Sequence, residues 1–154
     1  MLCKINKIFS WLILILWLIL IFYFSNQPAV ESAQVSGGIL DKLLELFNLP
    51  LTDFIVRKAA HFSEFAMLSV LSFNVTGRTW KFTVLKRSII STAFSLLYAL
   101  SDEIHQIFIV GRACRAFDIF VDSMGIITGL VFCIALLNIY KYIRRKRMNF
   151  TNLN

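Results

Sequence analysis

Four hydrophobic stretches follow one another along this chain, and three of them have ionisable side chains set into or beside them. The first covers residues 8–24 as nearly unbroken Ile, Leu, Phe and Trp, and no charge occurs between residues 8 and 30. A helix needs about 20 apolar residues to cross the hydrocarbon core of a bilayer. The later stretches hold His61, Glu64, Asp102, Glu103, His105, Asp118 and Asp122, seven of the eleven acidic and histidine residues in the sequence. An ionisable group in hydrocarbon is costly, so it tends to persist where it pairs, lines a cavity or does chemistry. Any fold for this chain must gather those seven groups away from lipid.

The expected fold class is all-α: a polytopic bundle of four transmembrane helices, with a short amphipathic helix in the first outer loop. Hydrophobic residues make up 58% of the 154, and mean hydropathy is +0.72. Soluble domains use roughly 45–50% apolar residues. The spans are placed at about 8–24, 54–76, 88–110 and 116–140, within one membrane domain over residues 8–140. A short N-terminus (1–7) precedes it and a basic tail (141–154) follows. The first run is longer than the roughly 7–15 residues of a signal-peptide core, and no small-x-small cleavage site follows, so a retained anchor is expected. In the first outer loop Ile39, Leu40, Leu43, Leu44 and Phe47 recur at helical spacing, opposite Asp41, Lys42, Glu45 and Asn48. That pattern suits a helix lying on the outer surface, or a lid over the bundle.

Basic residues set the expected orientation. Eleven of the sixteen Lys and Arg fall at residues 4–7, 78–87 and 141–147, on one side of the four spans. The positive-inside rule puts that side, with both termini, in the cytoplasm of a multi-pass cell-membrane protein. All nine carboxylates then fall in the outer half. The net charge of +7 does not indicate nucleic acid, because the basic residues flank hydrophobic segments and form no polar domain of their own. Cys3, Cys114 and Cys133 have no CxxC spacing, so no disulfide framework or thiolate metal site is indicated; small buried or interfacial side chains are expected.

The polar residues share a depth as well as a side. Arg57, His61 and Glu64 are spaced four and three apart on one face of the second helix, with Lys58 three before His61. Asp102, His105 and Gln106 lie near the outer end of the third, with Glu103 beside them. Asp118 and Asp122 begin the fourth, and Arg112 and Arg115 occupy the turn before it. One reading is a salt-bridge network joining three helices; others are a polar pocket for a ligand or for catalysis, and an ion or proton path. In the pocket, the arginines and Lys58 would clamp a phosphate or carboxylate. His61 or His105, oriented by a carboxylate, would be a general base, with Glu64 and Asp102 the remaining catalytic candidates. His61, Glu64, Asp102 and His105 are also candidate metal ligands, though no HExxH occurs. Arg57, Lys58, Glu103, Gln106, Arg112, Asp118 and Asp122 are the ligand-binding candidates. Gly125 and Gly129 form a GxxxG pattern that favours close helix approach.

These residues also carry a family resemblance. Arg57-Lys-Ala-Ala-His61-Phe-Ser-Glu64-Phe-Ala-Met-Leu68 resembles the first signature of the VanZ-like family of small bacterial integral membrane proteins. Ser101-Asp-Glu-Ile-His-Gln106-Ile-Phe-Ile-Val-Gly-Arg112 resembles the second, and Asp118-Ile-Phe-Val-Asp122-Ser-Met-Gly125 the third. Phe24-Ser-Asn-Gln27 is similar to the family's short motif after the first helix. Phe65 stands where the family usually has Tyr, Val110 where Pro is common, and Asp122 where Asn is frequent. The resemblance implies a plasma-membrane protein and carries no settled activity. The family is named for a member linked to low-level resistance to teicoplanin, a glycopeptide that acts outside the membrane.

Three functional expectations follow from the cluster. The first is a cell-envelope protein that binds an anionic lipid head group or a polyprenyl-phosphate-linked precursor from the outer side. The second is a membrane-embedded hydrolase or transferase acting on such a lipid. The third is a non-catalytic structural or accessory protein. Membrane lipids are the expected partners; cofactor and oligomeric state stay open.

Overall fold

A computed structural model describes residues 2–28, 30–32, 34, 37–38 and 52–151. The surface helix expected around residues 39–48 lies outside the described residues. Four long helices organise the rest: α1 (Leu2–Ser25), α2 (Asp53–Thr79), α3 (Val84–Gln106) and α4 (Ala116–Thr151). The fold is all-α.

Helix boundaries follow local chemistry. The Thr52 hydroxyl accepts from the Ile55 amide at the start of α2, and the Thr83 hydroxyl accepts from the Lys86 amide at the start of α3. The cap at Thr83 starts α3 four residues earlier than hydropathy indicates, because Lys86 and Arg87 are helical although they interrupt the apolar run. The same helix ends at Gln106, and tight turns follow over residues 107–111. Gly111 closes them at φ 77°, a left-handed conformation in which a side chain would be strained.

Every helix is long enough to cross hydrocarbon at about 1.5 Å per residue. Composition separates them. Asn6–Ser25 in α1 and Ala116–Met148 in α4 have mean hydropathies of 2.5 and 2.2 and are apolar enough to span. In α2 and α3 serines, threonines and ionisable groups dilute the apolar residues, and many of those polar groups point inward. Ser69, Ser72, Thr76, Ser91, Ser95, Asp102, Glu103, Gln106, Asp118 and Asp122 are all buried. Leu16, Leu97, Phe108, Phe120 and Val131 are more than half exposed, as are many other large apolar side chains. A polar interior beneath an apolar exterior reverses the arrangement of a soluble protein and suits surroundings of lipid.

α2 is the central helix. It touches the other three and packs most extensively on α4. Glycines permit that approach: a Cβ on Gly125 would overlap the Phe62 carbonyl oxygen, and one on Gly129 would overlap the Ala66 carbonyl oxygen. Buried hydroxyls also suit close packing, because they bond to their own helix. Ser69 donates to the Ala66 carbonyl and Thr76 to the Phe73 carbonyl. The apolar core between helices includes Leu14, Ile21, Phe65, Leu68, Ala99 and Ile126.

Three hydrogen bonds pin the middle of α1 to neighbouring helices. Trp17 Nε1 donates to the Glu64 carbonyl (3.0 Å), Trp11 Nε1 to Thr79 Oγ1 (3.0 Å) and the Tyr98 hydroxyl to the Leu18 carbonyl (2.8 Å). Tyr98→Phe removes only the last, and the expected loss is about 1 kcal/mol in unfolding measurements in detergent. Near Thr79, at the end of α2, Arg87 Nη2 donates to the Phe73 carbonyl (3.1 Å), its guanidinium lies 4.1 Å from the Phe73 ring centre, and it fills the space over Gly77.

Candidate functional site

At the end of the bundle where α1 stops and α2 starts, the helices part around a cavity of about 350 Å³. α2 supplies Arg57, Lys58, His61 and Glu64, in keeping with their shared face. Asp102 and Gln106 come from α3, Arg112 and Arg115 from the turn after it, and Asp118 from the first turn of α4. Phe24, Ser25 and Gln27 close the α1 side. Eight of the eleven residues singled out in the sequence thus line one space.

The other three do not line it. Glu103 and Asp122 are fully buried, and His105 turns toward α1. Its Nε2 lies 3.3 Å from Asn26 Oδ1 and its ring stacks on Phe22 with centroids 5.0 Å apart. That position suits docking α1 better than acting on a ligand in the cavity.

The charges of the site are unequally satisfied. Lys58 Nζ forms an ion pair with Asp118 Oδ1 and sits 5.3 and 5.8 Å from the ring centres of Phe54 and Phe117. Arg112 donates from Nε to the Gln27 carbonyl (3.0 Å) and from Nη2 to the Phe24 carbonyl (3.2 Å). It therefore bonds two carbonyls where α1 ends, sharing that of Phe24 with the Gln27 amide, and its positive charge suits the negative end of the helix dipole. Desolvation pulls the Arg112 guanidinium below the ordinary arginine value, and Asp102 is the strongest influence in the other direction. Asp102 Oδ2 accepts from Gln106 Nε2 at 2.9 Å. Arg57 and Glu64 are different, because neither side chain has a hydrogen-bond or ion-pair partner among the described residues.

Beside the cavity, His61 Nδ1 and Asp122 Oδ1 are 3.5 Å apart, and the Asp122 carboxylate has no closer hydrogen-bond partner among the described residues. Glu103 Oε2 accepts from the Arg115 amide (3.0 Å), which ties the end of α3 to the start of α4. Among the described residues no three His, Cys, Asp or Glu side chains converge as a metal-binding group. His105 in particular is not brought to His61, Glu64 and Asp102 to complete the ligand set considered from the sequence.

Cys133 is buried and Cys114 exposed in the turn before α4, so the expectation of buried or interfacial thiols fits Cys133 better. The sequence also gave little sign of what α1 contributes. Arg112 is held there by backbone carbonyls, which leave no mark on residue type; the Phe24–Gln27 motif was the available signal.

The family model described as VanZ/LLP1 matches residues 9–138. That is most of the chain, and the protein belongs to the VanZ/LLP1 family, as an all-α membrane protein within it. Comparison with curated proteins and comparison with solved structures each found no match.

Proposed function

We propose that this VanZ/LLP1 family member crosses the cell membrane four times and binds the anionic part of a lipid head group, or of a lipid-linked envelope precursor, in the cavity. Residues 8–140 form the membrane domain, and residues 1–7 and 141–154 lie in the cytoplasm. The apolar exterior and the helix lengths support four spans, and the basic residues at 78–87 and 141–147 support the orientation. The cavity then opens outward, on the side where glycopeptides act. An effect on teicoplanin susceptibility would follow from occupying an envelope lipid there.

The observation that carries this reading is Arg57, a cavity-lining guanidinium with no protein partner among the described residues. Beside it, Arg112 and the paired Lys58 add positive charge, and Phe24, Phe54 and Val56 supply apolar wall. Arginine in such a position suits a phosphate, which it can grip through two parallel hydrogen bonds. Arg57→Gln breaks no bond between described residues, so the variant should fold normally. Its phospholipid content after purification, read by native mass spectrometry, should fall about tenfold, the equivalent of one charge-assisted contact. Unchanged lipid retention would count against the reading.

Cys114 provides a test of orientation. Desolvation and the neighbouring Glu103 and Asp118 carboxylates push its thiol above the usual value, so labelling needs alkaline buffer. A membrane-impermeant maleimide should label Cys114 in intact cells, and Cys114→Ser should abolish that signal. Labelling of Cys114 only after permeabilisation would invert the topology.

One observation favours a second reading, a hydrolase or transferase acting on the same lipid. His61 lines the cavity with Asp122 behind it, a pair in which the carboxylate can orient an imidazole as general base. Asp122→Asn would then abolish turnover of a head-group-labelled lipid while leaving it bound.

A further inference from the structure

The two unpartnered charges of the cavity are opposite in sign and lie on the same helix. Arg57 and Glu64 are seven residues apart, two turns, so they project from one face of α2 at levels about 10 Å apart along its axis. Neither side chain has an ion pair or hydrogen bond to a described residue, although both line the same space. His61 lies between them on α2, closer to Glu64, and Arg115 lines the cavity from the turn before α4. Arg112 lies with Arg57 at the level where α1 ends, and the Asp102 carboxylate lies about one helical turn inside the end of α3. Lys58 and Asp118 neutralise each other across the wall. Arg57 and Arg112 therefore present cationic groups where α1 ends, and Glu64 and Asp102 present carboxylates further along the cavity, within the field of Arg112.

A ligand with only a phosphate would satisfy Arg57 and leave the Glu64 carboxylate facing it, which repels an anion. A ligand with an ammonium group a few ångströms from its phosphate would satisfy both. We propose that the cavity selects a head group carrying a phosphate and a primary ammonium, with the phosphate against Arg57 and Arg112 and the ammonium against Glu64 and Asp102. This rests on the head-group reading and narrows it. The required chemistry is an aminoalkyl phosphate, present in phosphatidylethanolamine and also in free glycerophosphoethanolamine. A quaternary ammonium is a poorer fit, because it has no N–H to donate to the carboxylates.

The test uses the full chain in detergent, exposed to equimolar phosphatidylethanolamine, phosphatidylglycerol and phosphatidylcholine, with bound lipid read by native mass spectrometry. Phosphatidylethanolamine should be retained about tenfold over each of the others, because they leave the Glu64 carboxylate without a partner in the occupied cavity. Glu64→Gln should lower phosphatidylethanolamine to the level of phosphatidylglycerol. The comparison of three lipids on the unaltered protein keeps the test decisive should that variant fold poorly. Displacement of the bound lipid by free glycerophosphoethanolamine would support recognition of the phosphate–ammonium pair itself; retention against it would support recognition of the pair in its lipid form. Equal retention of phosphatidylethanolamine and phosphatidylglycerol would overturn the inference and leave the head-group reading standing. Lipid retention that is uniformly low and indifferent to Arg57→Gln would overturn both.

Discussion

Gly129→Leu, and Gly125→Leu with it, should leave little folded protein in the membrane. At both positions an added side chain meets the backbone of α2: the Phe62 carbonyl at Gly125 and the Ala66 carbonyl at Gly129. A flexible side chain could swing aside, but a helix backbone cannot move without opening the interface that it shares with α4. That interface is the most extensive in the bundle, and it positions His61 and Glu64 relative to Asp118 and Asp122. The expected cost is about 3 kcal/mol or more, the upper end of what overpacking does in a close-packed interior. Gly38→Leu is the control, since no described residue lies within 4 Å of a Cβ there. Monodisperse protein recovered after extraction should fall sharply for the first two and stay at the parent level for the third. Normal recovery of Gly129→Leu would contradict the close approach of α2 and α4.

The second large effect concerns the ion pair in the cavity wall. Lys58 and Asp118 have side-chain exposures of only 17% and 9%. Lys58→Met keeps an unbranched chain between Phe54 and Phe117 but strands the Asp118 carboxylate. Removing one partner of a buried pair costs about 3–5 kcal/mol, whereas replacing both with apolar residues is often nearly neutral. Partial exposure puts the expected loss near the low end, about 3 kcal/mol. Lys58→Met/Asp118→Leu should recover most of it. The readout is the unfolding midpoint of the two single variants and the double variant, and equal losses in Lys58→Met and the double variant would mean that the pair is not what stabilises the wall.

Much of this site could be read from residue spacing, and the parts that could not have identifiable causes. Arg57, His61 and Glu64 do share a face, because spacings of four and three close a helical turn. The GxxxG pattern does mark a close contact, because only a missing Cβ allows that approach. His105 was harder to place. At about 100° per residue it lies on one side of Asp102 and Gln106 on the other, and sequence does not tell which side the cavity takes. The structure puts Gln106 on the cavity and His105 on α1. Depth divided the two aspartates of α4 in the same way: Asp118 reaches the cavity, and Asp122, one turn further in, lies buried behind His61.

Hydropathy alone gave a plainer signal for α1 and α4 than for the two helices that carry most of the site. Many of the serines and ionisable groups of α2 and α3, among them Ser69, Ser91, Ser95, Asp102 and Glu103, are shielded by the apolar surface around them. Sequence averages count such residues as though they met lipid, and in the folded bundle they meet each other.

The central claim is that a lipid head group occupies the cavity, and photo-crosslinking addresses it most directly. A phospholipid carrying a diazirine in its head group would be activated in membranes containing the protein, and the labelled peptides mapped by mass spectrometry. Labels within residues 54–64, 102–106 and 111–118 are expected. Labels confined to outward-facing positions such as Leu16 and Phe120, with none around the cavity, would contradict the claim.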